Sequence, residues 1–244
     1  MNPRPAAAAL CAWALVGSSA CYINFSEGSS WKEPHGYRAR DTVQGSGVFA
    51  EETRELEPFD AITVSDRIDL ELTLGPERAV AVRGDDNVVP EVVTEVRGTT
   101  LHVSMRRGRS YDSRRRTEVD VRVEALSAVT LAGANEARLS GLAGEAFRAV
   151  LSGSAHLVAS GEVGALEAVL SGSGQMDLGR LSAREATIEI SGSGGVLTRA
   201  RERLDVSISG SGEVQYLGEP AIETHVSGSG AVTRARTRGP KADR

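Results

Sequence analysis

Apolar and polar residues alternate along the first half of the chain in the pattern of β-strands. From residue 62 to residue 74 most second positions are apolar, and Asp69, Glu71 and Thr73 stand between them. Successive side chains of a strand point to opposite faces, so this pattern places one face in a core and the other in water. The same alternation returns at Val80 and Val82; at Leu101, Val103 and Met105; and at Val119, Val121 and Val123. We therefore predict an all-β protein, since no stretch has a convincing helical stripe.

The second half of the chain is an internal repeat. An apolar residue followed by a small tetrad recurs every 18 to 20 residues, first as Ala-Gly-Ala-Asn, then as Ser-Gly-Ser-Ala, then four times as Ser-Gly-Ser-Gly. The apolar anchors are Leu131, Leu151, Leu170, Ile190, Ile208 and Val226. A small or apolar residue stands two positions before each anchor, which makes each tetrad the corner after a short strand.

Recurrence at this period predicts a right-handed β-solenoid of stacked coils. Ser-Gly tracts also form flexible linkers, but a linker has no reason to recur every 18 to 20 residues between strand-like segments. A coil must place the same corner above the last one at the spacing of about 4.8 Å between strands. Glycine suits such a corner because it accepts positive φ and leaves room for the coil above.

The residues just described resemble the family of bacterial envelope proteins called putative auto-transporter adhesin, head GIN domain. The resemblance rests on Gly45-Ser46-Gly47, on the segment ELEPFDAITV at residues 55–64 with the strand that follows, and on the Ser-Gly ladder. It covers about residues 45–233. It implies a β-solenoid outside the cytoplasm and carries over no catalytic residue.

The first twenty residues are typical of a secretory signal peptide. Arg4 supplies the positive end, residues 6–17 the apolar stretch, and Ser18-Ser19-Ala20 a small-residue cleavage site. Cleavage there would leave Cys21 as the only cysteine of the exported chain. Two alternatives stay open, ordinary cleavage after Ala20 or acylation of Cys21 as in bacterial lipoproteins, and only the second provides a membrane attachment.

The remaining boundaries follow from composition. We expect a flexible tether at residues 21–44, which are rich in Ser, Gly, Pro and charge, then the folded domain at 45–233, and a disordered basic tail at 234–244. No later apolar run reaches the roughly twenty residues of a membrane-spanning helix. The expected location is the periplasm, the outer membrane or the cell surface.

A basic segment between two predicted strands is the sharpest charge feature of a chain whose formal charge is −5. Its arginines are Arg106, Arg107, Arg109, Arg114, Arg115 and Arg116. Clustered guanidinium groups can bind anionic envelope polymers or lipid headgroups, although an exposed hairpin loop would have the same composition. The acidic balance of the whole chain argues against nucleic acid as a partner.

Several kinds of site are not favoured by the sequence. The tetrads are followed by strands and not by the helix that a phosphate-binding loop needs, and they lack the aspartates of calcium-binding repeats. The histidines are scattered without metal-ligand spacing, so we predict no metal and no cofactor. A carbohydrate-cleaving enzyme would need acids on one face of successive coils. The acids of the repeat are expected at differing offsets from their tetrads and so not on one face. They are Glu167, Asp177, Glu189, Asp205 and Glu213.

Two function classes therefore remain ahead of an enzyme. One is a non-enzymatic adhesin or surface-binding module with an unknown envelope or extracellular ligand, which could be a polysaccharide, a protein or an anionic surface. The other is a structural or scaffold lipoprotein of the envelope.

Overall fold

The structure is a computed structural model that describes residues 42–235. Apart from one short 3₁₀ helix at Val89–Glu91, the regular elements of these residues are all strands, which confirms the all-β prediction. The strands are β1 (Thr42–Gln44), β2 (Phe49–Thr53), β3 (Ala61–Asp66), β4 (Ile68–Leu74), β5 (Ala79–Asp85), β6 (Val92–Arg97), β7 (Thr100–Met105), β8 (Ser110–Asp112), β9 (Thr117–Val123), β10 (Ala128–Gly133), β11 (Glu136–Gly153), β12 (His156–Gly172), β13 (Gln175–Gly192), β14 (Gly195–Gly210), β15 (Glu213–Leu217), β16 (Ala221–Gly228) and β17 (Ala231–Arg234).

The repeat forms stacked coils, as the sequence predicts. One parallel ladder, ladder A, consists of β3, β10, the C-terminal parts of β11 to β14, and β16. All six predicted anchors pair in one column of this ladder, and Val64 of β3 precedes Leu131 in the same column. The anchors from Leu131 to Ile208 are buried. The β-solenoid is therefore confirmed, while its handedness stays a prediction.

A second parallel ladder, ladder B, contains β4, the N-terminal parts of β11 to β14, β15 and β17. Its inward column runs through Leu70, Ala137, Leu157, Met176, Val196 and Val214, all buried. The remaining residues of β11 to β14 lead from ladder B back to ladder A and pair with each other on the way. The narrow interior accounts for the small share of aromatic residues, and Phe147 is the largest fully buried side chain of the described residues.

The tetrads lie between ladder A and ladder B, where the backbones of successive coils come very close. The amide of Ser193 donates to the carbonyl oxygen of Gly172 at 2.9 Å. Gly192 has φ of +130°, and a Cβ there would lie 2.4 Å from that same oxygen. Position four of the tetrad is tight as well, since a Cβ on Gly194 would lie 2.3 Å from Cδ2 of Leu170. These close approaches favour glycine at the second position and a small residue at the fourth position of the later tetrads.

The tetrad at 132–135 departs from Ser-Gly-Ser-Gly for a visible reason. Asn135 fills the place that Gly194 has in a later coil, and its side chain is buried. Its Nδ2 donates to the carbonyl oxygens of Asp66 at 2.9 Å and Ile68 at 3.0 Å. The asparagine thus satisfies backbone acceptors of the preceding coil, which has a different corner.

The N-terminal strands extend both ladders, in an order that differs from the order of the sequence. β7 pairs with β3 in ladder A, and β9 pairs with β4 in ladder B, both in parallel. The coil of β7 and β9 is therefore stacked outside the coil of β3 and β4, although it comes later in the chain. Antiparallel strands then cover this end, β6 on β7, and β5 followed by β2 on β9.

The ends of the folded part differ slightly from the predicted boundaries. β1 at Thr42–Gln44, within the expected tether, pairs with β8, and Arg234 of the expected tail belongs to β17. The signal peptide, Cys21 and the rest of the tail lie outside the described residues. Within residues 42–235 no helix is long and apolar enough to cross a membrane.

Candidate functional site

The basic segment is an insertion at a corner of the solenoid. Val103 pairs with Val64 and Thr117 pairs with Ile68, so both coils enter and leave the corner at equivalent places. Residues 104–116 therefore occupy the position that residues 65–67 occupy in the next coil. The enlarged corner belongs to the coil of β7 and β9, near the covered end.

Two of the six arginines are held by one carboxylate. Glu91, at the end of the 3₁₀ helix, forms ion pairs with Arg106 at 3.2 Å and Arg109 at 3.1 Å. The hydroxyl of Tyr111 donates to the same carboxylate at 3.2 Å and to the carbonyl oxygen of Arg106 at 3.0 Å. Burial, followed by the hydrogen bond with Glu91, raises the pKa of Tyr111. These contacts fix the first half of the loop against the 3₁₀ helix.

Two more arginines are paired on the other side of the loop. Arg116 contacts Asp69 at 2.7 Å, and Arg115 lies 3.7 Å from the buried carboxylate of Asp85. The guanidinium of Arg115 also stands 5.3 Å from the ring centre of Phe49, which is the geometry of a cation-π contact. Within residues 42–235, Arg107 and Arg114 are the members of the set without an ion pair. Most of the charge of the loop is therefore balanced locally.

The six arginines do not form one surface, because five of them are divided between two clefts and Arg116 lines neither. Arg114 and Arg115 line a cleft of about 810 Å³ together with residues 44–47, Asp85 and Asp112. Arg106, Arg107 and Arg109 line a second cleft of about 910 Å³ against the outer face of ladder A. The two acids in the first cleft balance the charge of its two arginines.

The second cleft gains basic groups from three other segments, and we call it the basic cleft. It is lined by Arg67, Arg97, His102, Arg106, Arg107 and Arg109. Arg67 follows Asp66 in the corner between β3 and β4. Arg97 is the last residue of β6, next to the turn into β7. Arg97 pairs with Glu95 at 2.7 Å, whereas Arg67 has no ion pair among the described residues. Arg67 and Arg107 are thus two exposed guanidinium groups in one cleft with their hydrogen-bonding capacity available.

Sequence reasoning identified the loop but missed Arg67, Arg97 and His102. A signal for Arg67 existed in the sequence. Once Val64 is placed in the anchor column, Val64-Ser65-Asp66 aligns with the anchor and the first two tetrad positions of the repeat. Arg67 is then the next residue of that corner. No comparable signal existed for Arg97 or His102. They reach the cleft only because β7 pairs with β3, a contact between segments far apart in the chain.

The basic cleft is suited to binding an anion. Guanidinium groups donate two parallel hydrogen bonds to phosphate or carboxylate oxygens, and two of them can hold neighbouring anionic groups of a polymer or headgroup. Thr63, Ser65 and Ser104 add hydroxyl groups to the lining. The lining acids are Asp66, whose Oδ2 accepts from the Met105 amide at 2.8 Å, and Glu95, which is paired with Arg97.

The acids considered for an enzyme require one correction. Glu167 and Asp205 were expected at different offsets, but both stand in one outward column of ladder A, separated by Thr187. Glu167 lies 3.4 Å from Arg148, and Asp205 lies 2.9 Å from Arg203. Paired carboxylates on the outer surface of a sheet do not have the geometry of an acid and base facing a sugar bond. Among residues 42–235 no group of three His, Asp or Glu side chains converges to hold a metal ion.

Solved structures share this fold. A putative adhesin from Bacteroides fragilis NCTC 9343 superposes with a TM-score of 0.61 at 20% identity, covering 79% of this chain and 98% of that one. A putative adhesin from Parabacteroides merdae ATCC 43184 has a TM-score of 0.52 at 19% identity, covering 80% and 100%. A putative lipid binding protein from Parabacteroides distasonis ATCC 8503 has a TM-score of 0.54 at 21% identity, covering 80% and 100%. Identities this low establish a common fold and not a common ligand.

The sequence itself provides the family assignment. No curated protein matches the chain. The sequence profile of the family described as putative auto-transporter adhesin, head GIN domain, matches residues 58–220. That match spans both the N-terminal coils and the Ser-Gly repeat, and it covers more than half of the chain. The protein therefore belongs to the head GIN domain family of putative auto-transporter adhesins.

Proposed function

We propose that the protein is an exported, non-enzymatic adhesin of the bacterial envelope that attaches through its basic cleft to phosphate- or carboxylate-bearing material. The observation that carries this proposal is the presence of Arg67 and Arg107 in one cleft without a carboxylate partner among the described residues. The family description supports adhesion, and the signal-like residues 1–20 support export.

The paired arginines have a supporting role in this proposal. Glu91 orients Arg106 and Arg109, so the loop keeps its shape, and the unpaired guanidinium groups supply the affinity for the anion. An exposed cation near an anionic surface contributes on the order of 1 kcal/mol before screening. Binding through two such groups is therefore weak for one copy and sensitive to salt.

The test replaces the two unpaired arginines and nothing else. The chain from residue 22, which cannot be lipidated at Cys21, is made as wild type and with Arg67→Ser and Arg107→Ser together. A matched control carries Arg122→Ser and Arg180→Ser, two exposed arginines outside the cleft, so both variants have the same net charge. Co-sedimentation is measured with vesicles of anionic phospholipid in neutral lipid and, separately, with an anionic polysaccharide.

We expect the cleft variant to bind about 30-fold more weakly than wild type at low salt, because two contacts of about 1 kcal/mol are lost. The control should bind within about twofold of wild type. Binding of the wild type should disappear near 0.5 M salt, where the Debye length is only about 4 Å. Equal binding by the cleft variant and the control, or no binding by any of the three, would refute this function for the cleft.

The second candidate function is a scaffold lipoprotein of the envelope. It is favoured by Cys21 after a signal-like stretch, and one structural relative has the name putative lipid binding protein. The full chain with Cys21→Ser distinguishes the two. A scaffold anchored by lipid alone would leave the membrane fraction when Cys21 is replaced and would show no affinity for vesicles without it.

A further inference from the structure

The last coil of the described domain ends in an open strand edge. β16 pairs with β14 on one side, and every residue from Ala221 to Gly228 is exposed. Ile222 and Val226 are 41% and 44% exposed. Their partners one coil earlier, Leu204 and Ile208, are 0% and 1% exposed. The inward side of β16 therefore continues the hydrophobic core, with no further coil on top of it among residues 42–235.

This edge lacks the features that normally prevent pairing with another strand. Proteins protect edge strands with lysines, prolines, bulges or inward charges. Within β16 the sequence is AIETHVSG, in which apolar or neutral residues face inward and Glu223 and His225 face outward. At the opposite end of the solenoid, antiparallel strands cover the outermost coil. The end at β16 has no such cover among the described residues.

We propose that two copies of the protein associate end to end by antiparallel pairing of their β16 strands, with Thr224 on the twofold axis. In this register Ile222 lies opposite Val226 of the second copy, and Glu223 lies opposite His225 of the second copy. Each contact occurs twice because of the symmetry. The pairing joins the two hydrophobic interiors and supplies partners for the free backbone groups of both edges.

Other registers of this pairing are less favourable, because they bring like side chains together or separate the two apolar faces. A shift that places Glu223 on the axis sets it against Glu223 of the second copy, and a shift that places His225 on the axis sets two histidines together. If the pairing between the two strands is offset by a single residue, inward residues of one strand lie opposite outward residues of the other strand. The order apolar, acidic, neutral, basic, apolar in residues 222–226 therefore selects one register and one occupant, a second copy of this chain. Arg203 contacts Glu223 at 3.3 Å within its own copy and leaves the other carboxylate oxygen available.

The first test exchanges the two charged residues. Glu223→His alone sets two histidines opposite each other, and His225→Glu alone sets two glutamates opposite each other. The double change Glu223→His with His225→Glu restores the opposite pairs with their places exchanged. A control, His156→Glu, makes the same kind of substitution at an exposed position of ladder B. Molar mass is measured over a concentration series by sedimentation equilibrium with the chain from residue 22, and melting curves check that each variant folds.

We expect a concentration-dependent dimer for wild type, for the control and for the double change. Each single change should weaken the dimer by about tenfold or more, since two unfavourable cross-strand pairs replace two favourable ones. Val226→Lys should abolish it by placing a charge in the joined core. A wild type that is monomeric up to about 1 mM would overturn the proposal, as would a dimer unaffected by Val226→Lys or a double change no better than the single changes.

A crosslink tests the axis directly. The chain from residue 22 has no cysteine, so Thr224→Cys introduces a single thiol. Residues facing each other across an antiparallel pair are close enough for a disulfide, so mild oxidation should link two copies at this position. Ser207→Cys lies one strand further in and is at least about 14 Å from its counterpart, because three strand spacings separate them, so it should not crosslink. Equal crosslinking of both variants would overturn the proposal. Dimerisation only after removal of residues 236–244 would also overturn it, because the full chain would then not form the dimer.

Discussion

Asp66 lies next to Gly133 at the corner between ladders A and B, and a Cβ on Gly133 would come 2.4 Å from the carbonyl oxygen of Asp66. Asp66 therefore occupies the position that the first tetrad glycine has in every later coil. With φ of 66°, it is the one non-glycine residue of the described chain in the left-handed region. It can carry a side chain because the neighbouring corner opens into the basic loop, where the Met105 amide donates to its Oδ2 at 2.8 Å.

The first prediction concerns this aspartate. Asp66→Ala should destabilise the domain by about 2 to 3 kcal/mol, because it loses a charge-assisted hydrogen bond and leaves alanine in a strained conformation. Asp66→Gly should cost less, since glycine accepts positive φ and only the hydrogen bond is lost. Urea unfolding of both variants gives the comparison. An alanine variant as stable as wild type would show that neither the hydrogen bond nor the backbone conformation matters.

The second prediction compares two glycines three residues apart. Gly192→Val should destabilise by at least about 2 kcal/mol, because the side chain would meet the carbonyl oxygen of Gly172 at a positive φ. Gly195→Val is the matched control, since a Cβ there has only one contact within 4 Å, at 3.9 Å, and valine favours strands. The control should unfold within about 0.5 kcal/mol of wild type. Similar melting temperatures for both variants would contradict the close stacking at the corner.

The repeat could be predicted from the sequence because its physical cause is local. An apolar anchor must enter the core once per coil, and the corner after it must be small, so both recur at the coil length. Leu170 and Ile190, for example, were assigned to one column and pair in the structure. The predicted strands around Leu70 and Val119 also formed. Their parallel pairing could not be predicted, since alternation shows which face is buried and not which strand lies beside it.

The site could be predicted only in part for the same reason. A run of arginines is visible in the sequence, so the loop was found. Its neutralisation by Glu91, Asp85 and Asp69 was not visible, because these acids come from three other segments. Arg67 joins the cleft through the register of β3 against β7, which no local pattern specifies. Long-range pairing therefore decides which arginines are free, and sequence patterns do not.

The third prediction tests whether coils are exchangeable units. Deletion of residues 191–208 removes one period and joins Ile190 to Ser209, so each later corner still follows an anchor. This variant should unfold cooperatively with a β spectrum, because coils contact mainly their neighbours. Deletion of residues 191–199 removes half a period and should give a much less stable or unfolded chain. Circular dichroism and urea unfolding measure both, and equal damage from the two deletions would argue against modular stacking.

The fourth prediction uses the carboxyl group of Glu71 on the outer face of ladder B. Desolvation by burial is the largest influence and raises its pKa from the ordinary 4.5; Arg138 lowers it, and Glu118 and Asp120 raise it. The folded state therefore holds this proton more tightly than the unfolded state, so ionised Glu71 lowers stability above the raised pKa. Glu71→Gln should stabilise the domain at pH 7 by less than about 1 kcal/mol, as is usual for charges that are still partly in contact with water. The gain should shrink as the pH falls through the raised pKa and vanish below 4.5, where both states of wild type are protonated. Glu145→Gln is the control, because it makes the same substitution at an exposed position without an ion pair in the described chain. Melting temperatures between about pH 3.5 and 8 test this, and a Glu71→Gln gain that is constant or grows on acidification would contradict the direction of the shift.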